Sequence, residues 1–250
     1  MKINKLHNWN IAAKKAVELQ RGLARQVRQQ RFDKKLKTIA GIDCAFIPLE
    51  TGRSCRPSGV SDTLSLTGFT ADKKNIIACV VVLSAKTFEI IETSYTVQAV
   101  NFPYIPGLLS FREAPACLAA IEKLTVIPDC FIVDGQGIAH PRRLGIASHL
   151  GLFLDVPTIG CAKSRLIGDF IPPASRKGST SPLKDKGEII GSVVRTRSNV
   201  KPVFVSVGNK CRLCDAVRIV LDCCRKYRLP EPSRLAHQIV TKLKFSHREC

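Results

Sequence analysis

A four-residue apolar run, Cys130–Val133, ends abruptly at Asp134-Gly135, and the chain around it must fold so as to cover the one and present the other. The run reads as a short strand, bounded as strands are by turn residues, that carries a carboxylate at its C-terminal end. Before it, residues 102–107 (FPYIPG) form a stiff loop in which two prolines fix φ and a glycine closes the turn. A helical run opened by Ser110 and carrying Glu113 lies between loop and strand. After the strand comes the turn Gly135-Gln136-Gly137-Ile138-Ala139-His140-Pro141-Arg142-Arg143. Residues 101–150 therefore hold an aromatic ring, acids, a glycine turn, a histidine and arginines in one segment.

Strand patterns flank this segment. Residues 38–46 (TIAGIDCAF) form an apolar strand with Asp43 embedded in it. Residues 76–84 and 88–97, joined by Ala85-Lys86-Thr87, predict an antiparallel hairpin. Residues 158–161 form another strand ending at Ala162-Lys163, and residues 188–196 and 202–207 a further pair. Helical spacing predicts a basic amphipathic helix over 9–30, a helix over 212–226 and a last helix holding His237. Residues 48–75 and 171–186 read as loops. A hairpin followed by strands alternating with helices predicts an α/β fold, a mixed sheet with helices on both faces. With no composition break, the 250 residues are expected to form one domain.

The charge balance narrows the partners. There are 39 Lys and Arg against 20 Asp and Glu, a net charge of +19, which favours nucleic acid first and an anionic membrane surface second. No apolar run nears the ~20 residues that span a bilayer, and the N-terminus lacks a signal-peptide apolar region. A cytoplasmic protein with no membrane partner is expected. Most of the eleven cysteines sit in apolar patterns and read as reduced thiols. Cys211, Cys214, Cys223 and Cys224 lack finger spacing, and a zinc reading ranks below a helical one.

Asp43, Glu113 and Asp134 come from three separate elements, and carboxylates converging in that way suit Mg²⁺ or Mn²⁺. In a basic protein such a cluster suggests metal-assisted phosphodiester hydrolysis. Each residue also has a plainer reading. Ser110-x-x-Glu113 fits a capping box, Asp134-Gly135 an ordinary strand exit, and Asp43 the outer face of a half-exposed strand. Lys163 is a solvated strand-end lysine or a phosphate contact. His140 is a packing residue of the turn or a phosphate contact. Tyr104 is a lid on the core or a rigid wedge for a base stack.

Seven motifs in one order resemble the endonuclease V family, the deoxyinosine 3′ endonucleases. They are Gly41-Ile42-Asp43, Pro103-Tyr104-Ile105-Pro106-Gly107, Phe111-Arg112-Glu113, Val133-Asp134-Gly135, His140-Pro141-Arg142-Arg143-Leu144-Gly145, residues 155–160 (DVPTIG) with Lys163 behind, and residues 227–232 (YRLPEP). The resemblance implies a ribonuclease H-like fold and Mg²⁺-dependent nicking, with Mn²⁺ as substitute. The cut falls one nucleotide 3′ of a deoxyinosine or related deaminated base and leaves a 5′-phosphate. It also implies metal-site acids Asp43, Glu113 and Asp134, with Lys163 and His237 completing the catalytic set. Pro103, Tyr104, Ile105, Pro106 and Gly107 become the wedge loop, and Gly135, Gly137, His140 and Arg142 the substrate pocket. DNA containing deoxyinosine is the expected partner of a monomeric enzyme. An inosine-specific endoribonuclease and a non-catalytic nucleic-acid binder are the rivals. Residues 48–75 match none of these motifs.

Overall fold

The structure, a computed structural model, describes residues 1, 3–48 and 74–246. The apolar runs become an eight-stranded sheet of order β3-β2-β1-β4-β5-β8-β7-β6. Its strands are β1 (Thr38–Pro48), β2 (Lys74–Ser84), β3 (Ile90–Ala99), β4 (Cys130–Val133), β5 (Thr158–Ala162), β6 (Thr180–Asp185), β7 (Glu188–Val194) and β8 (Val203–Asn209). β2 and β3 pair antiparallel, as the hairpin signal required, β1 pairs antiparallel with β2, and β4 and β5 run parallel to β1. The segment β3-β2-β1-β4-β5 is the ribonuclease H-like arrangement, and β8, β7 and β6 extend it antiparallel from β5.

β2 is buried along nearly its whole length because helices cover both of its faces, which is why it reads as continuous Ile, Ala and Val rather than as alternation. Ala40, Ile42, Ala78 and Val80 face α2 (Leu109–Glu122) and α3 (Ile146–Leu154). Ile39, Ile77, Cys79 and Ile132 face α4 (Leu213–Asp222) and α5 (Glu231–Ser246). A further helix, α1 (Ala13–Ala24), buries Ala16, Gln20 and Leu23 against the loop before α2, the turn before α3 and Leu152 in the last turn of α3.

Several boundaries differ from expectation. The helix predicted over 9–30 is α1 alone, and Trp9 precedes it, stacking on Phe153 with ring centroids 5.0 Å apart. Ser110 does not open α2. It lies in the helix's first turn and its Oγ pairs with Nδ1 of His149 at 3.0 Å, so the capping-box reading of Ser110 and Glu113 falls away. Residues 171–186, read as loop, contain β6, whose proline, Pro182, and polar residues suit a sheet edge. The loop expected over 48–75 lies, from 49 to 73, outside the described residues. Of the described cysteines all are free, and Cys214 alone is exposed. No helix among the described residues is long and apolar enough to cross a membrane.

Candidate metal centre and base-sized cavity

Parallel pairing of β1 and β4 creates the acid pair. Ile42 lies opposite Val133, and the amide of Asp134 continues the ladder by donating to the Ile42 carbonyl at 3.2 Å. Asp43 and Asp134 thus leave adjacent strands side by side. On the face that Asp43 shares with Gly41, α5 comes down directly onto the sheet. A Cβ at Gly41 would stand 2.1 Å from the carbonyl carbon and oxygen of Pro232, so only glycine allows this approach. The seat brings His237, two turns into α5, over β1, where its Nδ1 meets Oδ2 of Asp43 at 2.6 Å. One donor atom each from Asp43, Asp134 and His237 lie within 4.8 Å of one another, and among the described residues this is the group able to hold a metal ion.

Electrostatics give the same picture. Burial raises the Asp43 carboxyl above its usual range and the charge of Asp134 raises it further, against the opposing pull of His237 and Lys163. Glu113 reaches in from α2, and burial, then Asp43 and Asp134, push its carboxyl up to about 8. Asp43 and Glu113, both held back from ionising by burial and by the neighbouring carboxylates, mark a site short of positive charge. Lys163, at the exit of β5, ion-pairs with Asp134 and supplies part of it. The Lys163 backbone is itself fixed, because the Arg228 guanidinium donates to its carbonyl at 2.6 Å and to that of Pro202 at 2.8 Å.

Beside the acids opens a cavity of about 390 Å³. Asp134, Gly135 and Lys163 form one side of it, the loop Tyr104-Ile105-Pro106-Gly107 another, and Leu109, Leu144 and Ile146 add apolar surface. The loop is anchored at both ends. Buried Arg112 donates to the Phe102 carbonyl at 3.1 Å, and Gly107 is held by three donors described below. Between these anchors the Tyr104 ring projects, 67% exposed. Gln136 also lines the cavity, with Nε2 on the Ser164 carbonyl at 3.0 Å and a buried Oε1 that has no partner in the protein.

The endonuclease V family model matches residues 59–238, most of the chain. The chain belongs to the endonuclease V family. Endonuclease V of Gloeobacter violaceus is 48% identical over 93% of this chain and 86% of its own length. The endonuclease V structure from Bacillus subtilis superposes with a TM-score of 0.88 at 29% identity, covering 100% of this chain and 99% of that one. A third similar structure is endonuclease V of Ciona intestinalis in complex with a 24mer DNA containing an inosine followed by a ribo-adenosine. It has a TM-score of 0.72 at 28% identity and covers 92% of this chain and 96% of the other. As a family member the chain is a nuclease, and the acid cluster is where metal dependence fits.

Within this family frame the structure sorts the residues singled out in the sequence. Asp43, Asp134 and His237 meet, Lys163 joins them through Asp134, and Glu113 stands behind, coupled by charge to both aspartates. Tyr104, Ile105, Pro106, Gly107, Gly135 and His140 line the cavity, whereas Pro103, Gly137 and Arg142 stand outside its lining. The Gly137 amide donates to Ser206 Oγ at 2.8 Å, and a Cβ there would lie 2.0 Å from the Val207 carbonyl oxygen, so this glycine serves close packing on β8. His140 and Arg142 bond chiefly to the loop and to α1. Sequence reasoning held Gln136 only as a member of the glycine turn, and missed Gln20 and the role of Arg228. For Gln20 one signal existed, an amide on the inward stripe of an otherwise amphipathic helix.

Proposed function

We propose that this chain is a metal-dependent endonuclease that nicks DNA 3′ to deoxyinosine, one nucleotide beyond the lesion, with Mg²⁺ as its ion and Mn²⁺ as a substitute. The observation that carries the reading is the junction of the acid cluster with the cavity, Asp134 belonging to both. The donor set fits a divalent ion: two carboxylates for a hard cation, with an imidazole that Mn²⁺ tolerates well. Asp43 and Asp134 would hold the ion, Glu113 would complete the acid set, and His237 stands at its edge. When bound, the ion supplies a Lewis acid at the phosphate and an activated water.

The protein's own residues do the remainder. Lys163, held by Arg228, keeps a cation beside Asp134 where a scissile phosphate would lie. The cavity takes the displaced base, and Tyr104 fills the gap it leaves in the stack. Hypoxanthine pairs weakly, which lowers the cost of opening. The inosine-containing DNA held by the Ciona relative supports this substrate. A second reading, an inosine-directed endoribonuclease, draws support from the ribo-adenosine that follows the inosine in that complex.

The deciding experiment is nicking of matched deoxyinosine and inosine oligonucleotides, with and without Mg²⁺. Metal-dependent cleavage one nucleotide 3′ of the lesion is expected, and preference for the ribose strand would favour the second reading. Asp43→Ala and Asp134→Ala are expected to abolish nicking while lesion binding survives. Near-normal nicking by either variant sinks the assignment.

A further inference from the structure

A buried amide side chain needs partners for both its donor and its acceptor, and Gln20 of α1 finds them in two segments far away in sequence. It is fully buried. Its Nε2 donates to the Gly107 carbonyl at 3.0 Å and to the Leu144 carbonyl at 3.1 Å, and its Oε1 accepts from Nε of Arg142 at 2.5 Å. Gly107 closes the Tyr104 loop, and Arg142 and Leu144 belong to the turn that follows the cavity. The same Gly107 carbonyl accepts from the Arg142 guanidinium at 2.6 Å and from Nε2 of His140 at 3.0 Å.

The protonation of His140 suits this arrangement. The Arg142 amide donates to its Nδ1 at 3.1 Å, so the ring hydrogen sits on Nε2 and points at Gly107. Burial, and after it the neighbouring charge of Arg142, lowers its pKa to about 4, so the ring stays neutral at physiological pH. Gly107 has φ +79°, and a Cβ on it would lie 2.6 Å from the Arg142 guanidinium. Three donors therefore grip one carbonyl, at a position where any side chain would collide with one of them.

We propose that Gln20 is a positioning residue that latches the Tyr104 loop to the cavity turn, holding the wedge against the push of a base stack. The proposal rests on the wedge reading of Tyr104 given above. Two prolines make the loop stiff within itself, so its freedom lies in swinging about its ends. Arg112 holds the first end at Phe102. Gln20 ties the second end to both α1 and the turn, and it is outside the cavity lining, so its loss acts through the loop rather than on a bound base. A wedge matters for opening a duplex and is idle on a single strand.

The test uses the whole protein carrying Gln20→Met, which keeps the length of the side chain and removes its hydrogen bonds. Duplex nicking at deoxyinosine is expected to slow roughly tenfold or more while nicking of the same single strand falls less than about threefold, since small misplacements of a positioning group cost rate steeply. Without any substrate, hydrogen exchange is expected to quicken across residues 101–109, where the Leu108 amide donates to Ile105, and to stay unchanged in the sheet. Equal fold-losses on both substrates, or unchanged exchange in the loop, overturn the latch. If Gln20→Met does not fold, Gln20→Glu takes its place; it keeps the acceptor for Arg142 and loses both donors, and the same two outcomes decide. Failure of the wedge reading shows separately, as a Tyr104→Ala variant that loses as much on the single strand as on the duplex, and the exchange measurement then decides on the latch alone.

Discussion

At Gly41 a missing side chain determines where His237 stands. Gly41→Ala puts a methyl group 2.1 Å from the backbone of Pro232, so α5 must lift and carry His237 away from Asp43. The expected result is a loss of about 1–3 kcal/mol in unfolding free energy. Nicking should fall ~100-fold, as a misplaced group near the chemistry predicts. Denaturant titration and a nicking assay check the two halves; full activity would mean that the seat of α5 is irrelevant to the site. Glu113 offers a titration. Its raised pKa of about 8 means that the metal-free site prefers the protonated form, which contributes stability present below the usual 4.5 and lost as pH climbs through 8. Glu113→Gln, a permanent mimic of the protonated form, is expected to raise the melting temperature of the metal-free protein at pH 8.5 and to leave it almost unchanged at pH 4.5. An ion that draws in the carboxylate should also expel a proton, so calorimetry in two buffers of different ionisation enthalpy should register about one proton released at pH 7. The residues that take part in this chemistry were visible in the sequence because Asp43 interrupts an apolar strand and Asp134 ends one, and such carboxylates ask for a partner. Gln20 and Arg228 were not visible in the same way. Their work is to bind backbone carbonyls, and which carbonyl a long side chain reaches depends on the fold, not on its neighbours in sequence.

Among the elements, the hairpin and the short strand β4 were legible because short apolar runs bounded by turn residues report a covered sheet, whereas α3 was not. Every residue of α3 is buried, so it has no polar face from which a helical period could be read. That burial encloses His149, whose Nδ1 pairs with Ser110 on α2 and whose Nε2 meets Nε2 of His7 at 2.8 Å, tying the N-terminal segment to two helices. Burial, with His7 adding to it, holds the His149 pKa at about 3, and burial also lowers that of His7. For a base with a depressed folded pKa the unfolded chain binds the extra proton. The stability is then complete above the ordinary 6.5 and is lost as pH falls from there toward 3. Each such group contributes a slope of up to ~1.4 kcal/mol per pH unit. Glu113 works in the opposite direction over part of the same range, so wild type and His149→Asn must be compared, since the contribution of Glu113 is common to both. Between pH 6.5 and 4.5 the wild-type unfolding free energy, relative to the variant, is expected to shrink by roughly one proton's worth of slope. A constant difference across that interval would mean that His149 is not a titrating tie.

Over the whole molecule a net charge of +19 shapes the approach of a polyanion before any contact forms. Part of that charge has a direction. Lys14, Arg21 and Arg25 are spaced at i, i+7 and i+11, so they share the outer face of α1, opposite the buried Ala16, Gln20 and Leu23. Lys15 is spent on Glu18. Arg21 stands close enough to Arg142 to depress its pKa, after burial, which places the stripe alongside the turn that grips the Tyr104 loop. A solvated face and a track for nucleic-acid backbone look alike in sequence; position beside the cavity separates them and favours the track. Replacing Lys14, Arg21 and Arg25 with alanine should then weaken binding equally for inosine-containing and undamaged duplexes, because phosphates carry no sequence information. It should also flatten the dependence of log affinity on log salt concentration by about one per lost contact, up to about three in total. Nicking at saturating enzyme should hold, since none of the three residues lines the cavity or belongs to the acid cluster. A salt dependence identical to that of the wild type would return the stripe to solvent and leave association to the rest of the positive surface.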